Sequence, residues 1–533
     1  MRCNEDTDCS RFVDGNGRAN ISEDVPTLKE ERNRVTAWKR FGLAVFWLTA
    51  IANDGRAQVP PVASAQSPAR FASSQSAFAD HSAIKPLLRV DGKHFRDRAG
   101  RVVLLRGVNV SGGAKVPPFL PVRSLSDLDV LPAYGFNVIR LVFIWEAFEP
   151  SLGVYNLDYL RTIRQVADAT WQRGLYVIID LHQDGFSRFT AKGAGDGFPP
   201  WACSKRAELS TPDNGPNCKN WPIKMVIDPA VHRSFNDFYS DIDGHRTRYL
   251  AMLDQLSREF SSCPGVIGYD LLNEPWGRER QEISPLYHDA AHVIRAHDPS
   301  AIMFIEGHVS TNYGIQTKLA RPTFGNVAYA PHFYDPLTIM RNGWRGRPLV
   351  IRHAFQNMKA KADEWNVPLF LGEFGRPPSA RASNHYISKI YDHLDESLAS
   401  GAQWNYTPTW TAVNQDDWNA EDFNILGPDG TPRNNFQPRP YPAATAGTPL
   451  RFAFEKAAEP GQSHRLDYVW QHDPARGTTE IFLPYSVFPT SATMSEIHGV
   501  DVGLTRSPDG QVLTCRSSTA QIIHIQLRAI APR

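Results

Sequence analysis

Asp270-Leu-Leu-Asn273-Glu274-Pro275-Trp276 and, about a hundred residues later, Pro368-Leu-Phe-Leu-Gly372-Glu373-Phe374-Gly375 decide how the rest of this chain is read. Each is a short apolar run that ends abruptly in a carboxylate. In a (β/α)8 barrel, a residue just past the C-terminal end of a strand points into the mouth of the barrel. Two glutamates delivered in this way can flank one scissile bond, which is the arrangement that glycoside hydrolysis requires. The stretch between them leaves room for about three βα units, in the order such a barrel needs. Two unrelated loop glutamates would not share this pattern of strand followed by Glu.

On either side of these two stretches, further apolar runs alternate with helical patterns. The barrel strands are expected at Leu104–Asn109, Asn137–Phe143, Leu175–Leu181, Val266–Leu272, Ile302–Ile305, Val327–Ala330, Leu369–Leu371 and Ala402–Tyr406. Runs that are continuous rather than alternating suit a parallel sheet buried on both faces. Leu157–Arg173 and Tyr249–Phe260 carry the i, i+3, i+4 spacing of outer helices. Before the first barrel strand, Leu88–Phe95, Asp97–Gly100 and Val102–Leu105 read as a hairpin. After Pro438 the pattern changes to short β-rich stretches, Phe452–Phe454, Leu466–Gln471, Thr479–Leu483 and Ile522–Leu527, punctuated by Gly, Pro and Asp. The expected fold is therefore α/β: a (β/α)8 TIM barrel over 84–438, followed by a small antiparallel β-sandwich over 439–533.

A length of 533 residues accommodates this, since one such barrel takes about 250. Hydrophobic content of 42% allows a large core, and a formal charge of +1 gives no field that would favour nucleic acid. Forty prolines, 13 tryptophans and 28 phenylalanines suit long structured loops and an aromatic cleft. No C-x-x-C pair with His partners at ligand spacing marks a metal site. Phe41–Ala52 is an apolar run behind Lys39-Arg40 and ahead of Gly55-Arg-Ala57, so residues 1–57 read as an N-terminal extension with a signal peptide. Export to the periplasm or medium is expected, with an uncleaved membrane anchor as the alternative. The long polar stretch before it suggests a true start near Val35, and Pro60–Ser82, within a linker over 58–83, is Ala/Ser/Pro/Gln-rich. In an oxidising compartment Cys203 and Cys218, which bracket a Pro/Asn/Gly-rich loop, are expected to form a disulfide.

The combination Asn273-Glu274-Pro275, Gly372-Glu373-Phe374-Gly375 and His332-Phe-Tyr334 resembles the family 5 glycoside hydrolases, retaining enzymes on a (β/α)8 barrel. Arg106-Gly-Val-Asn109-Val-Ser-Gly-Gly-Ala-Lys115-Val-Pro-Pro-Phe119 and Asp180-Leu-His182-Gln183-Asp184 are similar to its endoglycoceramidase branch, which detaches a whole glycan from ceramide and carries a C-terminal β-sandwich. The resemblance spans about Leu88 to the C-terminus. It implies Glu274 as acid/base and Glu373 as nucleophile. The residues point the same way. Asn273 can hydrogen-bond a sugar 2-hydroxyl, while Arg140 and Tyr334 are natural donors to keep Glu373 charged. His182 and Asp184, just past the third barrel strand, read as a sugar-binding pair with Asp180 as a third member and Gln183 turned aside. His332 is placed similarly after the sixth strand. Trp404 would floor the sugar at the cleavage point, and Lys115 would reach a more distal sugar. Phe119, Phe186, Phe189, Phe198 and Trp201 are candidates for an apolar slot.

The expected activity is thus a β-glycosidase that needs neither cofactor nor metal. Its partner would be a glycolipid or β-glycan substrate, with transient contact to a membrane surface, and the chain would act as a monomer. Rival readings are an endo-β-glucanase, a hydrolase of glucosylceramide or sterol glucosides, and a silent carbohydrate-binding barrel. The presence of both glutamates with Asn273 argues against silence.

Overall fold

A computed structural model describes residues 87–531, apart from 216, 217, 219, 341, 342, 347, 491 and 492. The expected extension with its signal peptide at 1–57 and the linker at 58–83 lie outside the described residues. The first elements are β1 (Leu88–Asp91), β2 (His94–Asp97) and β3 (Val102–Val103), followed by β4 (Arg106–Val110), β5 (Val138–Phe143) and β6 (Tyr176–Leu181). Next come β7 (Val266–Asp270), β8 (Ile302–Ile305), β9 (Val327–Tyr329), β10 (Phe370–Leu371) and β11 (Ser400–Tyr406).

The strands from β4 to β11 form one eight-stranded sheet in the order β10-β11-β4-β5-β6-β7-β8-β9, every pair parallel. A parallel pairing of Tyr329 with Leu369 joins β9 to β10 and closes the barrel. Every residue of β5 is buried, as a strand covered on both faces must be. The outer ring includes α1 (Leu157–Gln172), α2 (Pro229–Tyr239), α3 (His245–Phe260), α4 (Ser284–Arg295), α5 (Leu349–Trp365) and α6 (Ser383–Glu396). Asn156 caps α1 by accepting a hydrogen bond from the Tyr159 backbone N–H at 3.1 Å. Ile163, Val166, Ala167 and Thr170 then recur at helical spacing on its buried face.

The last third of the fold is a sandwich. β12 (Tyr441–Thr445), β15 (Thr479–Phe482), β17 (Val502–Arg506) and β18 (Val512–Ser517) lie in one sheet. β13 (Gly447–Glu455), β14 (Ser463–His472), β16 (Thr493–His498) and β19 (Gln521–Ile530) form the other. Inward-facing Leu466, Tyr468 and Trp470 of β14 alternate with more exposed neighbours and pack with Ile481, Leu513 and Cys515 from the facing sheet. The hairpin read as an approach to the barrel does more than that. Its strand β3 pairs with β12, so β1–β3 extend the sandwich sheet to seven strands. At the same time Phe95 stacks on Phe304 at 6.1 Å and, with Leu88 and Leu105, packs against barrel residues Val138, Ile178 and Phe370. The hairpin thus plugs the barrel floor and ties it to the sandwich. Gly135, at φ +82°, lies where a Cβ would come within 2.2 Å of the Phe482 ring, so only glycine permits that approach.

The expected disulfide is not formed: Cys203 and Cys218 are free thiols. Cys203 is sequestered in the barrel's hydrophobic core, its sulfur 3.9 Å from the Pro199 carbonyl oxygen, whereas Cys218 Sγ faces Lys224 Nζ at 3.2 Å. Each sulfur is held by its own segment. Burial pushes the Cys203 thiol up to about 12, which suppresses its thiolate.

Two outcomes follow. Alkylation in denaturant without reductant labels both Cys203 and Cys218, read by peptide mass, while Cys203 resists alkylation in the folded protein. Phe95→Ala opens a cavity under the barrel and lowers unfolding free energy by about 3–5 kcal/mol, read from the denaturation midpoint.

Candidate active site

Arg140, on β5, is the centre of the barrel mouth and has no solvent exposure. Its Nη1 donates to Glu373 Oε1 at 2.7 Å and Asn109 Oδ1 at 3.0 Å, and its Nε donates to Asp270 Oδ2 at 3.0 Å. Its Nη2 donates to Asn273 Oδ1 at 2.8 Å and meets Asp180 Oδ1 at 2.9 Å, with Glu306 Oε1 farther off at 3.8 Å. Burial alone would favour a neutral guanidine, but Asp180, Asp270 and Glu373 around it hold Arg140 firmly charged. The planar fork suits this task, since one group can engage several acceptors at once.

The two glutamates sit in different surroundings. Glu373 accepts from Arg140 and also, at Oε2, from the Tyr334 hydroxyl at 2.9 Å. Both expected donors therefore reach it. Glu274, at the end of the β7 loop, is buried and has φ of +42°, a region that non-glycine residues rarely adopt. Gln183 braces that turn by donating to the Asn273 and Glu274 carbonyls at 2.7 and 3.1 Å. Burial, reinforced by Asp184, pushes the Glu274 carboxyl up to about 8 against the pull of His182, Lys115 and Arg140. Glu274 is therefore an acid at neutral pH. His332 Nδ1 lies 2.9 Å from Glu274 Oε1 and 3.6 Å from Glu373 Oε2, and burial lowers the imidazole to about 4. Oxygens of the two glutamates and a His332 nitrogen all lie within 4.8 Å of one another. An inverting enzyme needs its carboxyl groups about 6.5–9.5 Å apart to admit a water.

Beside this pair a second cluster forms. His182 Nδ1 pairs with Asp180 at 2.7 Å, and its Nε2 lies 3.4 Å from Asp184. Lys115 Nζ donates to Asp184 Oδ2 at 2.5 Å and lies over the rings of Trp404 and Trp418 at 4.5 and 3.8 Å. Burial opposes ionisation of Asp184, yet Lys115 and His182 hold it well below the ordinary carboxylate range. Trp404 runs parallel to His182 at 5.5 Å and is only 3% exposed, its Nε1 donating to Glu421 at 3.3 Å. Asn273 is fixed at both ends, accepting from Arg140 and donating from Nδ2 to the Gln183 carbonyl at 3.0 Å. All ten residues singled out from sequence converge here.

The aromatic slot is corrected in part. Phe186 and Phe198 stack at 4.2 Å and interlock with Phe235, Phe238 and Tyr249, so they pack the loops. Trp201 is likewise engaged, edge-on to Trp145 at 5.2 Å. Phe119 and Phe189 remain half-buried, with the Arg188 guanidinium over both rings. Sequence reading missed Asp270, Glu306, Asp196 and Glu421, and gave Asn109 no role. Asp270 and Glu306 carried a usable signal, since each ends or follows an apolar strand as the two catalytic candidates do. Four triads could by spacing alone hold a metal: Asp180/His182/Glu373, His182/Asp184/Asp196, Asp270/Glu306/His332 and Glu274/His332/Glu373. Each already faces Arg140 or Lys115, which supply the positive charge a cation would bring.

Residues 97–409 match the cellulase family, glycosyl hydrolase family 5, and residues 439–527 match the glycoside hydrolase family 5 C-terminal domain. The chain is 28% identical to endoglycoceramidase I of Rhodococcus hoagii over 470 residues, which cover 80% of this chain and 85% of that one. It is 37% identical to a glucosylceramidase of Aspergillus fumigatus, over 21% of this chain and 18% of that protein's length. The fold is similar to endo-glycoceramidase II from Rhodococcus sp. in its ganglioside GM3 complex. The TM-score is 0.69 at 24% identity, over 83% of this chain and 100% of that one.

Two measurements probe this geometry. Arg140→Lys replaces the fork by a point donor and lowers kcat/KM on a chromogenic β-glycoside by about 100-fold or more. Because Glu274 must carry a proton to act as acid, kcat/KM for a substrate with a poor leaving group falls as pH rises through about 8. The same limb fades when the leaving group departs without protonation.

Proposed function

The chain belongs to glycoside hydrolase family 5, a family of retaining enzymes, and from that premise we propose that it is an endoglycoceramidase, cleaving the β-bond between the glycan and ceramide of glycosphingolipids. Glu373 attacks the anomeric carbon, and the C–O bond to the lipid breaks as the proton of Glu274 passes to the departing oxygen. The ionised Glu274 then takes a proton from water, whose oxygen displaces Glu373 and restores the β configuration. Arg140 and Tyr334 donate to the two oxygens of Glu373 and aim it, and Asn273 binds the sugar 2-hydroxyl. His182, Asp184, Lys115, His332 and Trp404 line the sugar pocket.

The observation that carries the glycolipid reading over a glucanase is enclosure. Glu373, Asp184, Lys115 and Trp404 are each under 5% exposed, which suits a short sugar pocket rather than a long open cleft. Half-buried Phe119 and Phe189 offer the apolar surface that a lipid aglycone needs. Similarity to an endoglycoceramidase over most of both chains supports the same reading. The glucosylceramidase match favours a second one, removal of a single glucose from glucosylceramide. The apolar run Phe41–Ala52 behind a basic flank supports export and work on membrane-borne lipid.

Incubation with a panel of glycosphingolipids and β-glucans tests the proposal. Release of ceramide together with an intact oligosaccharide is expected; free glucose from glucosylceramide alone selects the second reading, and cleavage of β-glucan alone refutes both. Variants separate the roles. Glu373→Ser abolishes hydrolysis yet joins a glycosyl α-fluoride to a lipid alcohol, because fluoride leaves without protonation and Glu274 acts as base. Glu274→Ala turns over good leaving groups slowly and is rescued by azide as the β-glycosyl azide. Exchanged phenotypes would reverse the assignment.

A further inference from the structure

Glu306 follows the last residue of β8 and has no solvent exposure. Neither of its carboxyl oxygens has a hydrogen-bond partner among the described residues, and neither does Nε2 of His332. These two orphaned groups face each other, Nε2 to Oε1 at 3.6 Å. Distances of this kind tighten when a substrate fills the site. The other nitrogen of the same ring is at 2.9 Å from the acid/base Glu274. Three consecutive barrel strands thus present Glu274, Glu306 and His332 as a chain, with the imidazole in the middle. The ring's seat depends on Gly372, where a Cβ would lie 2.9 Å from both Cδ2 and Nε2.

Charge decides which way the chain points. An ionised Glu306 would be a buried anion facing an imidazole that burial keeps neutral, its nearest cation being Arg140 at 3.8 Å, and Arg140 already serves Asp180, Asp270 and Glu373 at 3.0 Å or less. Such a charge is costly, and a neutral carboxylic acid in its place has one O–H to donate. The groups facing Glu306 are Arg140 from β5, Asp270 and Glu274 from β7 and its loop, His332 beyond β9 and Glu373 beyond β10. Burial, then Asp270, raises the Glu306 carboxyl well above its ordinary range despite Arg140, in agreement with the geometry.

Resting on the retaining mechanism above, we propose that Glu306 is a positioning residue for the acid/base: as a neutral acid it donates to Nε2 of His332, fixes the ring as the Nδ1–H tautomer, and so aims a donor at Glu274. That donor has its greatest effect when Glu274 has given its proton to the leaving oxygen and stands as a carboxylate. No proton leaves His332 in either step; the proton lost by Glu274 goes to the aglycone and returns from water. The chain therefore stabilises the state that substrates with poor leaving groups must pass through, and matters little for those that leave unaided.

The tautomer can be read without turnover, by nitrogen NMR of histidine-labelled protein with His332→Asn as the assignment control. The wild type shows Nδ1 protonated and Nε2 bare at His332, and Glu306→Leu removes that preference. In kinetics, Glu306→Leu lowers kcat on an alkyl β-glycoside by about 10- to 100-fold, and on an activated aryl β-glycoside by less than about threefold. Glu306→Gln, whose amide can still donate to Nε2, restores most of the loss. A protonated Nε2 in the wild type, equal losses on both substrate classes, or a Gln variant as impaired as Leu would overturn the proposal. A wild type that hydrolyses no β-glycoside would instead refute the retaining-glycosidase reading, leaving the NMR result to decide this one.

Discussion

The site depends on a single buried guanidinium. Arg140 is inaccessible to water and is ringed by Asp180, Asp270, Glu373 and, more distantly, Glu306. Each of those carboxylates would be expensive to bury alone, and so would the arginine. Together with Asn109 and Asn273 they form a polar core that only one register of the barrel strands can assemble. The partners come from β4, β6, β7 and the segments after β7 and β10, so the requirement to satisfy one side chain fixes the ends of several strands at once. Removing Arg140 would leave several buried carboxyl groups uncompensated, and removing an asparagine would leave part of its fork unpaired, which is why such networks rigidify a site once they are complete.

From that hub the two glutamates acquire opposite characters. Glu373 receives hydrogen bonds from Arg140 and Tyr334, which suit a charged nucleophile. Glu274 projects from a strained turn toward a histidine that burial keeps neutral, and is itself pushed up to about 8 by burial. Two donors on one carboxyl and burial of the other assign the nucleophile and the acid. Neither assignment needs a distant influence; the contacts of each group account for it.

Much of this was legible in the chain. The eight barrel strands announce themselves because parallel strands buried on both faces must be continuously apolar, and Glu274 and Glu373 stand out because each breaks such a run. Arg140 was readable as a donor because it is a cation inside the apolar run of β5, and Tyr334 because its hydroxyl follows β9 on the same side of the barrel as Glu373. What sequence did not disclose were contacts that join distant segments. The pairing of β3 with β12 is set by long-range packing that no local pattern encodes. Phe186 and Phe198 looked like slot residues because loop aromatics carry no label for which way they face, and here α2 and α3 supply Phe235, Phe238 and Tyr249 to bury them. The cysteine spacing suggested a bridge, but spacing says nothing of orientation, and the two sulfurs are held by different neighbours. Glu306 belongs to no motif that would mark it, although it follows an apolar strand much as Glu373 does.

In the retaining mechanism Glu373 forms a covalent bond to the sugar. A 2-deoxy-2-fluoro β-glycosyl substrate with a reactive leaving group forms that bond quickly and breaks it slowly, so intact-protein mass spectrometry and peptide mapping can locate it. A single glycosyl adduct is expected, carried by the peptide containing Glu373 and absent from Glu373→Ser. Turnover without any adduct and with the α-anomer as first product, or an adduct on another residue, would contradict it.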